Sequence, residues 1–428
     1  MKTAIRTSSN CNGSILMVTI ISGLLVGMVL ASYLALVRHQ NATVARAQDW
    51  NAALGAAEAG VEEALAQLTH VPLTTNINRS ANGWQLATVD GVACYRVSSR
   101  TVLKGSYDVR FTDTPQPVIY VTGTIVNSAL NASLTRSLEV RTTNAPFFNV
   151  GMAALMNIKM NGNNIMTDSY ISTNSLYSTG GRYAPAKARK NGNVASVNGV
   201  IDVGNANING DLLTGPTGNY SVGANGVLTG SYYNDFNAQY QDVKDPVNLA
   251  SFLPPTAAMQ NQKITTTEGT ITYPYAFYGS GNYRMLGFKG AIYVGTNVQV
   301  TVYVEGNVSG SDKFFLAPGA KLTFYMKGDN FKASGLVNNG GNTQFLYLGL
   351  PSNTSVQFTG NASFTGMIYA PQADFTMNGG GSGGSTTDFS GACVVKSVNM
   401  NGDMSFHYDE ALSTLGPTIY KAMSWREL

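Results

Sequence analysis

The sequence predicts a mainly β protein led by one long α-helix, and three observations carry that prediction. In CNGSILMVTIISGLLVGMVLASYLALVRHQ (11–40), residues 15–37 form an uncharged apolar run, and a helical pattern continues past it to Leu68. Between 92 and 145, short segments alternate apolar and polar residues. Beyond 146 the texture changes to recurring Asn-Gly units, such as FTMNG (375–379) and VNMNG (398–402), 23 residues apart.

The helix comes first. At 1.5 Å per residue, 15–37 would extend roughly 35 Å, enough to cross a bilayer with some tilt. A cleaved secretory signal has a shorter apolar core of about 7–15 residues before a small-x-small site. ASYLA (31–35) imitates that site but lies inside the run, and Cys11 precedes the run, against a lipoprotein signal. The segment therefore reads as retained. From Arg38 to Leu68 there is no proline, and Ala47, Trp50, Leu54, Ala57, Val61, Ala64 and Leu68 recur at spacings of three and four, one apolar seam. Pro72 ends it. Residues 14–68 then make one helix of roughly 80 Å, half suited to lipid and half amphipathic. Gly23 and Gly27 form a GxxxG, which fits either close helix approach or ordinary membrane-helix glycines.

Next come strands. YRVSS, SYDVRF, PVIYVTGTIV and SLTRSLEVRTT alternate and are separated by turn signals, a small antiparallel region over 80–145 with a boundary at Ala145–Pro146. In the remainder, FTGMIYA (364–370) pairs with FSGACVV (389–395), 25 residues apart, and earlier echoes are IKMNG (158–162) and ANING (206–210). A period in the low twenties with Asn-Gly corners predicts a β-solenoid over 146–428, in which stacked coils share the core that no coil closes alone. Glycine supplies positive φ at corners and asparagine tolerates it. The same dipeptides fit type I′ hairpins, so a meander is the competing architecture. NGGGSGGS (378–385) reads as a flexible corner loop.

Composition narrows the function. Charged residues are 12%, about half the usual fraction, and glycines number 46, a polar, turn-rich surface that suits an extracellular β protein. A net charge of +3 is too small for a general nucleic-acid binder. Cys94 and Cys393 lie far apart and read as two small buried hydrophobes, with a disulfide as the alternative.

Chemistry is sparse. His39 and His70 belong to the helix and its end, leaving His407. DMSFHYDEAL gathers Asp403, His407, Asp409 and Glu410, which reads as an acid–base or metal cluster, or as a terminal cap. The cap is the reading adopted, with Phe406 and Leu412 closing the last coil and the charges facing water. No HExxH, CxxC or P-loop occurs, and no catalytic, cofactor-binding or metal-binding residue is predicted. A polysaccharide lyase on a β-helix would want clustered carboxylates and a basic proton acceptor, yet Arg284 is the only arginine between 190 and 425. The one basic run, GGRYAPAKARKNG (180–192), presents Arg182, Tyr183, Lys187, Arg189 and Lys190. It reads as a solvated loop, with contact to acidic glycan or DNA as the sharper alternative.

The basic leader (Lys2, Arg6), Gly13, Ser14, the apolar run and WNAALGAAEAGVEEALAQL together resemble the N-terminus of type IV pilin-like proteins, PilX-type minor pilins and K-type pseudopilins above all. The resemblance implies a prepilin peptidase cutting between Gly13 and Ser14, N-methylation of the new terminus, and packing of the helix into a filament with other pilin-like subunits. It implies a leader at 1–13, a helix at 14–72 with 15–37 in the inner membrane, and the rest outside the cytoplasm or on a cell-surface filament. Major pilins carry a glutamate where this chain has Val18, which points to a tip or minor subunit. Patches over 150–412 resemble an uncharacterised β-helical domain attached to other PilX-like proteins. The expected function is structural and adhesive, with surface polysaccharide as a candidate ligand and no cofactor. The alternative is a membrane-anchored, glycan-active β-helix enzyme.

Overall fold

The computed structural model describes residues 12–68, 79–80, 82–102, 104–114, 116–127, 132–162, 164–246, 248–359, 363–379, 387–415 and 418–428. The chain forms two compact units: one comprises Met1–Leu68, Arg79–Thr143 and Lys421–Leu428, the other Thr69–Asn78 and Asn144–Tyr420. The chain is mainly β, with one long helix near the N-terminus.

In the first unit, helix α1 (Asn12–Leu68) is continuous. Its N-terminal part is long and apolar enough to cross a membrane, and its large side chains stand in the open: Ile15, Leu24 and Leu30 are each about 60% exposed. Its C-terminal part packs on an antiparallel sheet of β1 (Gln85–Val89), β2 (Val92–Val102), β3 (Gly105–Thr112), β4 (Val118–Asn127) and β5 (Ala132–Pro146), each strand beside the next. Asp90 and Gly91 both take positive φ, as a two-residue type I′ hairpin between β1 and β2 requires. Alternation turns Val109, Phe111, Ile119, Val121 and Val140 inward, all buried.

From Ala53 to Ala64 the buried face of α1 is small: Ala53, Ala56, Ala57, Gly60, Val61 and Ala64, with the larger Gln67 and Leu68 buried only in the last turn. The reason is distance. A Cβ on Gly123 of β4 would lie 2.2 Å from the Ala53 carbonyl oxygen and 2.6 Å from the Ala57 nitrogen, so helix and sheet backbones all but touch. Only alanine and glycine permit that approach. The seam expected from Ala47 therefore begins later. Ala47 and Trp50 are exposed, because they precede the sheet, and the Trp50 ring instead lies under the Arg136 guanidinium at 4.9 Å. Pro72, expected to end the helix, and the 380–385 part of the glycine loop lie outside the described residues.

The second unit is built from short parallel strands stacked in columns. In one column the inward partners run Tyr283, Val302, Phe324, Tyr347, Ile368, Cys393, then Met152, Val194, Leu212 and Tyr232. A second runs Phe288, Val308, Phe331, Val356, Phe375, Val398, then Ile158, Ile201 and Tyr220. A third includes Phe364, Phe389, Phe406, Thr167, Ile208 and Leu228. Phe364, Phe389 and Phe406 stack face to face at 4.5–4.6 Å. These inward side chains form one continuous apolar core.

Spatial order is not sequence order. The stack runs from 281 to 409 and then resumes at 152, ending at 233. The intervening chain returns along the outside: Phe236 N–H donates to Thr214 O, Tyr369 Oη to Gln241 O (2.7 Å), Tyr303 Oη to Asp245 Oδ1 (2.6 Å), and Leu253 bridges the strand at Tyr283. It covers an outward apolar row that includes Tyr303, Tyr325, Leu348, Tyr369 and Val394. Both described cysteines, Cys94 and Cys393, are free and buried.

The MNG echoes are spatial neighbours. Met377 faces Met400, which faces Met160, all buried. Their asparagines form a ladder: Asn401 Nδ2 donates to Asn378 Oδ1 (2.8 Å) and Asn161 Nδ2 to Asn401 Oδ1 (3.1 Å). ANING is not part of this row, since Ile208 sits in the third column opposite Thr167. The expected domain limit of 146–428 also needs correction at its end. The C-terminal strand Thr418–Glu427 joins the first unit's sheet beside β5, held by Arg136 Nε to Glu427 Oε1 (2.7 Å), Arg426 Nη2 to Glu139 Oε2 (2.9 Å) and Leu428 N–H to Ser137 O (3.0 Å).

Candidate functional site

Where residue 409's end of the stack meets residue 152's, polar side chains concentrate. Strand Met404–Asp409 lies between Thr387–Gly391 and Met166–Tyr170, which aligns Ser390, His407 and Asp168 in register and sets Asp409 beside Tyr170. Met404 and Phe406 enter the core, so Ser405, His407 and Asp409 point to the other face.

That face is covered. His407 is 2% exposed and Asp409 1%. His407 Nδ1 lies 2.5 Å from Asp168 Oδ1 and its Nε2 lies 3.7 Å from Asp388 Oδ1. The Tyr183 ring stacks on the imidazole, centroids 3.5 Å apart, and its hydroxyl donates to Asp168 Oδ2 at 2.7 Å. Burial lowers the imidazole pKa, but hydrogen bonds and charge from Asp168 and then Asp388 outweigh it, holding the group above its ordinary value. Burial and the bond to Asp168 push the Tyr183 hydroxyl far above the usual phenol range.

The cap reading of DMSFHYDEAL is thereby overturned. The strand is internal to the stack because Met166–Tyr170 pairs on its far side, and Asp409 faces protein. Asp409 Oδ1 accepts from the Ser172 and Ala411 amides and Oδ2 from Asn342 Nδ2, at 2.8–3.1 Å. Asn342 Nδ2 also lies 2.5 Å from Tyr170 Oη.

The basic run is the cover. Residues 171–192 fold back over His407, tied by paired backbone bonds between Ser169 and Arg189. Arg189 Nε donates to Glu410 Oε1 at 2.8 Å and its guanidinium lies over the Tyr177 ring. Lys187 Nζ donates to the Ser175 and Ser178 carbonyls, and Arg182 Nη2 to Asn339 O. Lys190 is exposed. Of the five residues singled out as a ligand-contact loop, three cations are thus engaged within the unit and Tyr183 is a lid. Gly13 and Ser14 lie in the first turns of α1.

Sequence reasoning found His407, Asp409 and Glu410 but missed Asp168, Asp388, Tyr170 and Asn342. Asp168 is 239 residues from its partner, and the one local signal was an aspartate inside the strand MTDSY. Chemically, Nδ1 is engaged by the buried Asp168 and one ring face is covered by Tyr183, while Nε2 lies 3.7 Å from Asp388, whose side chain is 42% exposed. Among the described residues, no group of three or more His, Cys, Asp or Glu could hold a metal ion.

Comparison with known proteins adds context. Residues 256–415 match the family model described as "Domain of unknown function (DUF7305)". No curated protein matches the chain. Among solved structures, the competence-associated pilin ComZ from Thermus thermophilus is similar at 11% identity and a TM-score of 0.30, with 88% of this chain and 97% of that one covered.

Proposed function

We propose that this chain is a type IV pilin-like minor subunit or pseudopilin that carries a β-solenoid as a display domain. The observation that carries the reading is α1: a 57-residue helix whose first part is apolar and open while its second part is seated, through alanine and glycine, on an antiparallel sheet. A plain membrane anchor needs no such extension. In this reading residues 15–37 hold the chain in the inner membrane and pack against other pilin-like subunits in the filament. A prepilin peptidase cuts between Gly13 and Ser14, and Val18 in place of a glutamate suits a tip or minor position. The parallel columns, whose successive partners from Val302 to Cys393 lie 21–25 residues apart, support the solenoid.

The role we infer is structural and adhesive, outside the cytoplasm. The enclosed His407 cluster supports a non-enzymatic reading over glycan cleavage. Surface polysaccharide is the ligand class that the open aromatic Tyr278, 60% exposed, would suit by stacking. The test is the mature N-terminus. Intact mass of the membrane-extracted protein should give a chain beginning at Ser14, and Gly13→Leu should retain the leader and stay out of filaments. A wild-type chain beginning at Met1, or one cut after Ala35, overturns the pilin reading.

A further inference from the structure

The two ends of the stack are built differently. At the end formed by Gly281–Met285, Leu253 pairs with the strand edge through Leu253 N–H to Asn282 O and Arg284 N–H to Leu253 O. There the parallel row Asn338, Leu316, Val294 and Phe277 is closed by an antiparallel hairpin, Gln260–Thr266 with Gly269–Phe277, whose outer strand carries Lys263. Covering an edge and placing lysine on it are the usual protections against unwanted pairing.

The other end has neither. Among the described residues, Asn219–Ser221, Val227–Leu228 and Tyr232–Tyr233 each pair on one side only, with the preceding layer. Val227 and Thr229 donate their amides back to Ala206 and Ile208, so alternation leaves the Leu228 N–H on the open side. The inward side chains Tyr220, Leu228 and Tyr232 remain partly exposed, the two rings 4.3 Å apart across the end of the core. Residues 212–234 contain no charge at all. Stacked-repeat proteins need a terminal layer that shields the core, and this uncharged layer leaves its inward side chains partly open.

We propose that this end is an interaction surface and that its occupant is the same end of a second copy of the chain. The three free edges are two or three residues long. A single added strand could satisfy only one of them and would gain little. A partner must offer three short edges in the same arrangement, and among the described residues the surface that does so is this one. A two-fold axis across the end turns one column onto its own copy as an antiparallel pair and exchanges the other two, a closed, isologous contact. The capped opposite end prevents growth into an open head-to-tail fibre. This inference does not depend on peptidase processing or on filament membership.

The experiment uses the full chain in detergent micelles, followed by sedimentation and by hydrogen exchange over a dilution series. Association should protect amides in 219–233 at high concentration, and protection should disappear on dilution. The triple substitution Asn219→Lys, Val227→Lys, Tyr233→Lys touches exposed positions. It should weaken association by at least about tenfold, because like charges opposed across a sheet repel. Leu253→Lys with Leu286→Lys, at the capped end and 67% and 73% exposed, should leave association unchanged. Association with concentration-independent exchange in 219–233 would place the contact elsewhere, for instance on α1, and overturn the proposal. Protection acquired only when a different protein is added would overturn it equally, by assigning the end to another partner.

Discussion

Met400→Asp tests whether the Asn-Gly repeats mark one shared core. Met400 is fully buried, with Met377 on one side and Met160 on the other in the same row. Removing a buried methionine side chain costs about 2–5 kcal/mol through lost transfer energy and the cavity left behind. The introduced carboxyl enters an apolar core. It must then stay protonated or be buried charged, either of which adds to the loss. A total of about 4 kcal/mol or more is expected at neutral pH. Asn399→Asp, one residue away and half-buried on the opposite face, should cost under about 1 kcal/mol. Hydrogen exchange in strands 375–379, 398–401 and 158–161 reads the effect locally. Met400→Asp should collapse protection in all three segments, although 158–161 is some 240 residues distant in sequence. Equal losses for the two variants, or loss confined to 398–401, would refute the shared row.

Gly123→Ala should destabilise the first unit by about 1–3 kcal/mol, because its methyl would meet helix backbone and not a movable side chain; thermal melts of detergent-solubilised protein check it. The Asp168–His407 pair should make the second unit's stability fall as pH rises. The imidazole pKa is raised on folding, so the stabilisation is complete below the ordinary 6.5 and is lost as pH climbs through the raised value. His407→Phe should abolish that dependence in exchange rates of 171–192, and an unchanged pH profile would sink the assignment. Asn401→Ala, which removes the middle of the asparagine ladder, should cost about 1–2 kcal/mol in the same melts, since two hydrogen bonds go at a half-exposed site. If Val18 reflects a minor role, quantitative proteomics of sheared filaments should find this chain scarce beside the main subunit.

What could be read from sequence was what repeats locally. The three MNG segments were legible because each places methionine inward, asparagine on the ladder and glycine where the backbones close; a Cβ on Gly162 would sit 2.1 Å from Gly402 O. ANING has the same letters but a different column, since composition does not specify which corner a dipeptide turns. The alanine-rich face of α1 was legible as a seam, whereas its start at Ala53 depended on where the sheet begins. The C-terminal strand was illegible as part of the first unit, because TIYKAMSWRE fits any edge and its partner β5 lies nearly 300 residues earlier. Asp168 was missed for the same reason.

The permuted order explains why the polar cluster sits where it does. Elsewhere in the stack adjacent layers follow one another in the chain, through short turns or a local loop such as 171–192, so chain connectivity itself limits slippage. Between 393 and 152 no such turn exists, and partners such as Cys393 and Met152 meet only after closure of a very long loop, whose entropic cost rises slowly with length but is paid in full. Apolar rows alone specify such a junction poorly, since a parallel strand displaced by two residues presents the same face. Directional bonds do not tolerate that displacement. Asp168 to His407, Ser169 and Arg189 to Glu410, and Ser172 to Asp409 all cross the junction, and each fails on a two-residue slip. Burying ionic groups contributes little net stability, and fixing register is the best-attested use of them. The histidine cluster is thus tied to one register of the junction, since its contacts exist only in that register.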